Sequence, residues 1–225
     1  MSALPFTVAL LGAESTGKSR LAQDLSEQLR TQHGLCVDMV TEHLRSWCEQ
    51  HGRAPVQHEQ TALAHTQSQL IAQVRAKPGV QVVVADTTAL MVAAYSEHYF
   101  NDLSLWPRAL ADHSTCDLTL LMGLDLPWVD DGLCRDSPAA RQATDTILRV
   151  RLEQAGVSYQ TVYGRGNDRT SHALRTVSAR MGLTVTAQDL FWEQGRRPWN
   201  CEKCSDPGCE HRLFRDLIAQ RQPGG

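Results

Sequence analysis

The chain has 225 residues and a formal net charge of -3, which suits one α/β domain with a small appendage better than two full domains. Without a strongly basic balance, nucleic acid is not expected as a partner, because such binding rests mainly on contacts with phosphates. No stretch approaches the about 20 apolar residues of a membrane span, and no basic region precedes the first apolar run. We therefore expect a cytoplasmic protein with no membrane partner.

The N-terminal part of the chain contains a phosphate-binding loop between a predicted strand and a predicted helix. Phe6–Leu11 is apolar and short enough for a buried strand, and Leu21, Leu25 and Leu29 then recur at helical spacing. The loop between them is a complete Walker A motif, made of Gly12, Ala13, Glu14, Ser15, Thr16, Gly17, Lys18 and Ser19. Its backbone N–H groups and the positive end of the following helix predict a binding site for the phosphates of ATP.

Two side chains of this loop have predicted roles in phosphoryl transfer. Lys18 would reach the β- and γ-phosphates of ATP, and we expect its side chain to face solvent otherwise. Ser19 would offer its hydroxyl to Mg²⁺. The alternative is a glycine-rich turn with an incidental lysine, but the strand and the helix flank the loop in the order that phosphate binding requires.

The rest of the chain alternates between predicted strands and predicted helices. Strands are predicted at Leu35–Thr41, Val80–Ala85, Asp117–Met122 and Tyr159–Tyr163. Helices are predicted at Gln57–Val74, Ala89–Phe100, Trp106–His113, Ala139–Gln154 and Arg169–Met181. This alternation predicts an open parallel sheet with helices on both faces, the α/β fold of P-loop NTPases, over residues 1–182. Residues 183–225 then form a separate C-terminal extension.

Polar residues follow two of the predicted strands. Asp86 ends the most apolar strand, where a Walker B carboxylate would hold Mg²⁺ through water, although it would alternatively only cap the next helix. Glu42 follows the second strand and would accept a proton from the attacking hydroxyl, with Arg45 holding substrate or phosphate charge. The alternative for Glu42 and Arg45 is a surface ion pair on a helix.

A charged segment lies between the fourth strand and its helix, where small-molecule kinases keep a lid. It contains Asp130, Asp131, Arg135 and Arg141. Arginines in a lid can close on the transferring phosphoryl group and stabilise its charge, whereas the alternative is a solvated charged loop. Trp128 precedes the segment and is a candidate for stacking on a base or a nicotinamide ring.

The C-terminal extension contains four soft metal ligands close together, namely Cys201, Cys204, Cys209 and His211. These residues satisfy the Cys₃His set of a structural zinc site, so we expect Zn²⁺ as a second metal beside the Mg²⁺ that accompanies ATP. Their spacing matches none of the commonest zinc templates, which leaves an iron–sulfur cluster or free thiols as alternatives.

Taken in order, several motifs resemble the ribosylnicotinamide kinase domain of NadR-type proteins and related AAA-labelled ATPases. They are the loop Gly12–Ser19, the pair Glu42 and Arg45, Asp86-Thr87, and above all Trp128–Leu133. The resemblance covers Phe6–Met181. It implies ATP phosphates at the loop, a catalytic or Mg²⁺-linked Asp86, and substrate or lid roles for Glu42, Arg45, Asp131 and Arg135. Thr88, Cys134 and the Cys/His cluster depart from the family pattern.

The leading interpretation is a Mg·ATP-dependent kinase for a small nucleoside, with Lys18, Asp86, Glu42 and Arg135 as its catalytic residues. The resemblance implies nicotinamide riboside as the acceptor and nicotinamide mononucleotide as the product. The rival interpretation is an ATP-driven switch or binding module whose metal-stapled tail contacts a partner. The sequence leaves the oligomeric state open.

Overall fold

Five parallel strands form one sheet at the centre of the domain. The computed structural model describes residues 4–129 and 137–183, and the predicted metal cluster lies outside them. In chain order, the strands are β1 (Phe6–Leu11), β2 (Val37–Val40), β3 (Val82–Asp86), β4 (Leu118–Met122) and β5 (Gln160–Val162). Their order across the sheet is β2-β3-β1-β4-β5, which confirms the predicted open parallel α/β fold.

Helices cover both faces of this sheet. In chain order, the helices of the described residues are α1 (Lys18–His33), α2 (His43–His51), α3 (Gln57–Arg75), α4 (Ala89–Phe100), α5 (Trp106–His113), α6 (Pro138–Gln154) and α7 (Asn167–Met181). Helices α1 and α7 pack on one face, and α3 to α6 pack on the other. Within residues 4–129 and 137–183, no helix combines the length and the apolarity needed to cross a membrane.

The central strand β1 contributes side chains to both apolar layers. Val8 and Leu10 are fully buried in the layer that contains α1 and α7. Leu11 is fully buried in the opposite layer, together with Leu90 of α4 and Leu148 of α6. A strand covered on both faces has no solvated side, which explains why its sequence is a continuous apolar run.

The helix α2 is not predicted by the sequence pattern. It has nine residues, and Cys48 is its one buried residue, so it contributes little to the apolar layers. Leu44 and Trp47 are only partly buried against the layer that contains α4. The strand predicted before it is also shorter than expected, since β2 ends at Val40.

The register of the parallel strands brings the phosphate-binding loop next to the end of β3. Leu10 of β1 pairs with Asp86 of β3, and Val40 of β2 pairs with Ala85. The carboxyl ends of β2, β3 and β1 therefore lie side by side at one edge of the sheet. Open α/β sheets bind ligands at this edge.

Candidate active site

The loop between β1 and α1 has a backbone conformation that requires glycine at two positions. Gly12 has a φ of 147°, and a Cβ atom there would lie 2.8 Å from the Cβ atom of Met122. Gly17 has a φ of 79°, and a Cβ atom there would lie 3.0 Å from Leu126. Both glycines thus combine a left-handed or otherwise restricted backbone with a close neighbour. This geometry is that of a Walker A loop curling into the N-terminus of a helix.

Lys18 is buried, with 7% of its surface exposed, so the expectation that it faces solvent is wrong. Its ammonium group donates hydrogen bonds to the backbone carbonyls of Gly12 at 2.7 Å and Ala13 at 3.1 Å. A buried cation needs such acceptors, and the curled loop supplies them from its own backbone. Lys18 therefore spans the loop and places its charge inside the predicted phosphate site.

Arg169 of α7 supports the loop from behind. Its guanidinium group donates to the backbone carbonyl of Thr16 and pairs with the carboxylate of Asp125 at 2.6 Å. The other oxygen of Asp125 accepts the backbone N–H of Gly164 at 2.8 Å. Burial lowers the pKa of Arg169 and the charge of Asp125 opposes that shift. The network joins the phosphate loop to the segments that follow β4 and β5.

Asp86 lies at the carboxyl end of β3, as predicted, and is almost completely buried. One of its carboxylate oxygens has no hydrogen-bond partner among the described residues. The interpretation of Asp86 as a helix cap is wrong, because the N-cap of α4 is Thr88, whose side chain accepts from the N–H of Leu90. Asp86 and the exposed Ser19 supply the oxygen ligands that Mg²⁺ prefers, so these residues fit the ion.

The corner after Asp86 is held in place by a buried histidine. Thr88 lies 3.3 Å from one ring nitrogen of His113, and Thr119 lies 2.8 Å from the other. Burial lowers the pKa of His113 to about 4, so its ring is neutral at physiological pH. His113 thus connects the N-terminus of α4 to β4 through two hydroxyl groups.

Gln67 is a positioning residue that the sequence pattern does not single out. Its side-chain nitrogen lies 3.3 Å from the carbonyl of Thr41 and 3.2 Å from the carbonyl of Thr87. Its side-chain oxygen accepts the N–H of His43 at 2.8 Å. One buried amide of α3 therefore fixes the ends of β2 and β3 and the start of α2. The helix is rich in polar residues, which in the sequence is compatible either with a solvated face or with a face that lines a cleft.

Glu42 and Arg45 lie at the start of α2 and contact each other. The Nε atom of Arg45 is 3.8 Å from a carboxylate oxygen of Glu42, which is the ion pair of the alternative interpretation. The Glu42 side chain is only 12% exposed, unlike that of a surface carboxylate. Burial raises the pKa of Tyr95 well above its usual range, and the charges of Glu42 and Glu14 add to the shift. The carboxylates of Glu42 and Glu14 therefore both contribute to the raised pKa of Tyr95.

Arg141 and Trp128 border the phosphate loop on the side of β4. The N–H of Val129 donates to the Ser15 hydroxyl at 2.9 Å, which holds the chain around Trp128 against the loop. Arg141 is 5% exposed and donates from one nitrogen to the carbonyl of Leu126 at 2.9 Å. Burial lowers its pKa, while the charges of Asp125, Asp145 and Glu14 oppose that shift. The predicted lid residues Asp130, Asp131 and Arg135 lie outside the described residues.

A family model matches the part of the chain that contains the phosphate loop, β3 and Arg169. Residues 7–169 match the family model described as an AAA domain. The chain belongs to this family. The match includes every candidate site residue of the predicted kinase domain, from the phosphate loop to the lid.

Two relatives of the chain are NadR proteins from different bacteria. The chain is 28% identical over 194 residues to the trifunctional NAD biosynthesis/regulator protein NadR of Salmonella typhimurium (strain LT2), and 29% identical over 176 residues to that of Escherichia coli (strain K12). These matches cover 84% and 76% of this chain, but only 43% and 41% of the relatives. The chain thus spans less than half the length of either relative. The resemblance to NadR-type proteins is confirmed.

Solved structures of low sequence identity share the fold. A crystal structure of NadR in complex with NR has a TM-score of 0.70 and 21% identity, and covers 81% of this chain and 53% of that one. A structure of NadR in complex with NAD and AMP-PNP has a TM-score of 0.64 and 18% identity, with 81% and 51% covered. Thymidylate kinase from Ehrlichia chaffeensis has a TM-score of 0.58 and 13% identity, with 78% and 100% covered. The chain therefore shares its fold with these structures.

Proposed function

We propose that this protein is a Mg·ATP-dependent nucleoside kinase that phosphorylates the ribose 5′-hydroxyl of nicotinamide riboside. The observation that carries the proposal is the pairing of Leu10 with Asp86, which sets an incompletely bonded carboxylate beside the phosphate loop. The choice of acceptor is supported by the relatedness to NadR, one structure of which contains NR, nicotinamide riboside. Such a kinase would draw on the ATP and Mg²⁺ of the cytoplasm.

The proposed roles of the site residues follow from their chemistry. The N–H groups of Gly12–Ser19 would bind the phosphates, with the ammonium group of Lys18 moving from its loop carbonyls to phosphate oxygens. Ser19 and Asp86 would hold Mg²⁺, which neutralises phosphate charge when bound. Glu42 would accept the proton of the attacking hydroxyl. Arg135 would stabilise the charge of the transferring group.

The charges near the proposed nucleoside site support a cationic substrate. Nicotinamide riboside carries a positive charge on its ring, and two carboxylates, the buried Glu14 and the partly buried Glu42, both add to the raised pKa of Tyr95 at this edge of the sheet. Negative side chains would favour such a base over a neutral one. Arg45, Trp128 and Asp131 would complete the contacts with the nucleoside, as the resemblance implies.

A panel of nucleosides tests this proposal. The protein is incubated with Mg·ATP and with nicotinamide riboside, nicotinic acid riboside, uridine, adenosine or thymidine, and the phosphorylated products are detected by mass. Nicotinic acid riboside is the matched control, because its carboxylate cancels the charge of the ring. We expect nicotinamide mononucleotide as the main product. Another phosphorylated nucleoside would leave a kinase with a different acceptor, and ATP hydrolysis alone would favour the switch.

We also propose a structural zinc site in the C-terminal extension, held by Cys201, Cys204, Cys209 and His211. Three thiols and an imidazole satisfy a tetrahedral zinc site, and a small unit with few apolar residues gains stability from a metal. In the described part of the chain, no cluster of three such ligands occurs. Metal analysis of protein purified without a nickel column should show about one zinc per chain, lost in Cys204→Ser. An iron chromophore, or freely titrating thiols without metal, would contradict it.

A further inference from the structure

The backbone at Thr87, directly after Asp86, is unusual for its residue type. Thr87 has a φ of 81°, in the left-handed region that β-branched residues rarely adopt. Strained residues of this kind persist where the surrounding structure holds them, and they concentrate at functional sites. Thr87 lies at the carboxyl edge of β3, where the predicted magnesium ligand also lies. The strain therefore calls for a functional reason.

The surroundings of Thr87 fix this conformation from both sides. The carbonyl of Thr87 accepts a hydrogen bond from Gln67, which is 1% exposed. The next residue, Thr88, caps α4 and contacts the ring of His113. Two buried polar groups on different helices, α3 and α5, thus hold the corner.

The Thr87 side chain is buried without a hydrogen bond to the part of the chain that the structure describes. The residue is 2% exposed, and its hydroxyl has no hydrogen-bond partner within residues 4–129 and 137–183. One carboxylate oxygen of Asp86 is buried and without a partner in the same way. A buried polar atom without a partner is costly, so two of them on consecutive residues indicate a missing polar group. One ordered water could satisfy both atoms.

We propose that the hydroxyl of Thr87 and the carboxylate of Asp86 together bind one water molecule of the Mg²⁺ coordination shell. The proposal rests on the proposed use of Mg·ATP, but not on the identity of the acceptor. Mg²⁺ keeps several of its waters in phosphate sites, and such waters bind through their hydrogens to nearby oxygens. Thr87, which directly follows Asp86 in the chain, is thus a positioning residue for the metal.

Calorimetric binding of AMP-PNP, with saturating Mg²⁺ and with Mg²⁺ chelated, tests the proposal without any acceptor. Thr87→Val keeps the shape of the side chain and removes the hydroxyl, so affinity should fall about tenfold with Mg²⁺ and stay unchanged without it. Thr87→Ser keeps the hydroxyl and should bind as the unaltered protein does. Thr161→Val is the matched control, because Thr161 of β5 also carries a buried hydroxyl that has no hydrogen-bond partner among the described residues.

Thr87→Gly keeps the test decisive if the valine variant does not fold. Glycine adopts a positive φ without strain, so this variant should unfold at the same temperature or higher, yet show the same loss of Mg²⁺-dependent affinity. Equal weakening with and without Mg²⁺, or no weakening at all, would overturn the proposal. It would also be overturned if Mg²⁺ did not change the affinity of the unaltered protein. If AMP-PNP behaves as expected but no nucleoside is phosphorylated, only the proposed function fails.

Discussion

Arg169 and Asp125 form an ion pair of 2.6 Å that connects the phosphate loop to the loops after β4 and β5. The pair joins residues 44 positions apart in the sequence. The guanidinium group also donates a hydrogen bond to the carbonyl of Thr16, and the carboxylate also accepts one from the N–H of Gly164. The shape of the phosphate site therefore depends on an ion pair that contacts the loop through the backbone carbonyl of Thr16.

Removing this pair should loosen the phosphate loop. Arg169→Met should lower the free energy of unfolding by about 2 kcal/mol, less than the roughly 3–5 kcal/mol of a fully buried pair, because the Asp125 side chain is 29% exposed. Affinity for AMP-PNP should fall as well. Urea unfolding and calorimetry measure the two effects. Arg108→Met, which removes the exposed pair with Asp112, is the control and should change stability by about 0.5 kcal/mol or less. Equal effects of the two variants would contradict the supporting role.

Lys18→Ala should abolish most turnover while the fold persists. The loss should reach at least about 100-fold, because the ammonium group stabilises charge that develops in the transition state. The free energy of unfolding should fall by no more than about 2 kcal/mol, since the lost bonds join Lys18 only to two carbonyls of its own loop. Turnover and thermal unfolding are measured on the same preparation. Arg20→Ala, at an exposed position two residues later in α1, is the control. Normal turnover in Lys18→Ala would disprove the Walker A assignment.

Asp86→Asn should reduce Mg²⁺-dependent turnover by about 100-fold or more. An amide keeps the shape of the side chain but is a poorer ligand for hydrated Mg²⁺. The backbone of residue 86 should keep its pairing with Leu10. Steady-state rates at several Mg²⁺ concentrations measure the effect. Asp112→Asn, on the surface of α5, serves as the control. A fully active Asp86→Asn would mean that this carboxylate has a structural role alone.

Stability should decrease in mild acid because of His113. Burial lowers the pKa of His113 from 6.5 to about 4, so between these values the unfolded chain binds a proton that the folded protein does not. The free energy of unfolding should therefore fall as the pH decreases through this window, by up to about 1.4 kcal/mol per pH unit. Above pH 6.5 this residue contributes no pH dependence.

A variant that cannot titrate isolates this contribution. His113→Gln keeps polar atoms that can reach Thr88 and Thr119. Burial also lowers the pKa of His172, so the contribution of His113 is the difference in the free energy of unfolding between the unaltered protein and this variant. Urea unfolding at about pH 7, 6 and 5 should show the stability advantage of the unaltered protein shrinking towards acid. Parallel pH profiles would show that the pKa of His113 is the same in the folded and unfolded states, which would contradict the prediction.

The sequence predicts the elements whose signals are local. The helices Ala89–Phe100 and Trp106–His113 have the predicted bounds. Thr88 caps the first of them and Asn101 follows its end in the left-handed region, while a proline lies in the first turn of the second. The Walker A loop is recognisable from its glycines and its lysine alone. Asp86 is predicted as a site residue because it follows an apolar strand, and parallel strands in one sheet end at the same edge.

The supporting residues could not be predicted in this way. Gln67, Arg169 and Asp125 act through contacts between residues that are distant in the sequence, and no spacing or composition marks such contacts. The strain at Thr87 likewise depends on the fold around it, since threonine after a strand is common. The helix α2 has only nine residues, which is shorter than the windows of about 11–18 residues over which helical periodicity is recognised.

The transfer of a labelled γ-phosphate tests the central claim most directly. The protein is incubated with ATP labelled in its γ-phosphate, Mg²⁺ and nicotinamide riboside, and the position of the label in the product is determined by phosphorus–proton coupling. We expect the label on the 5′-carbon oxygen of nicotinamide mononucleotide, in equal amount to the ADP formed, and neither product with Lys18→Ala. Label found only in inorganic phosphate, with no phosphorylated nucleoside, would contradict the proposed kinase activity.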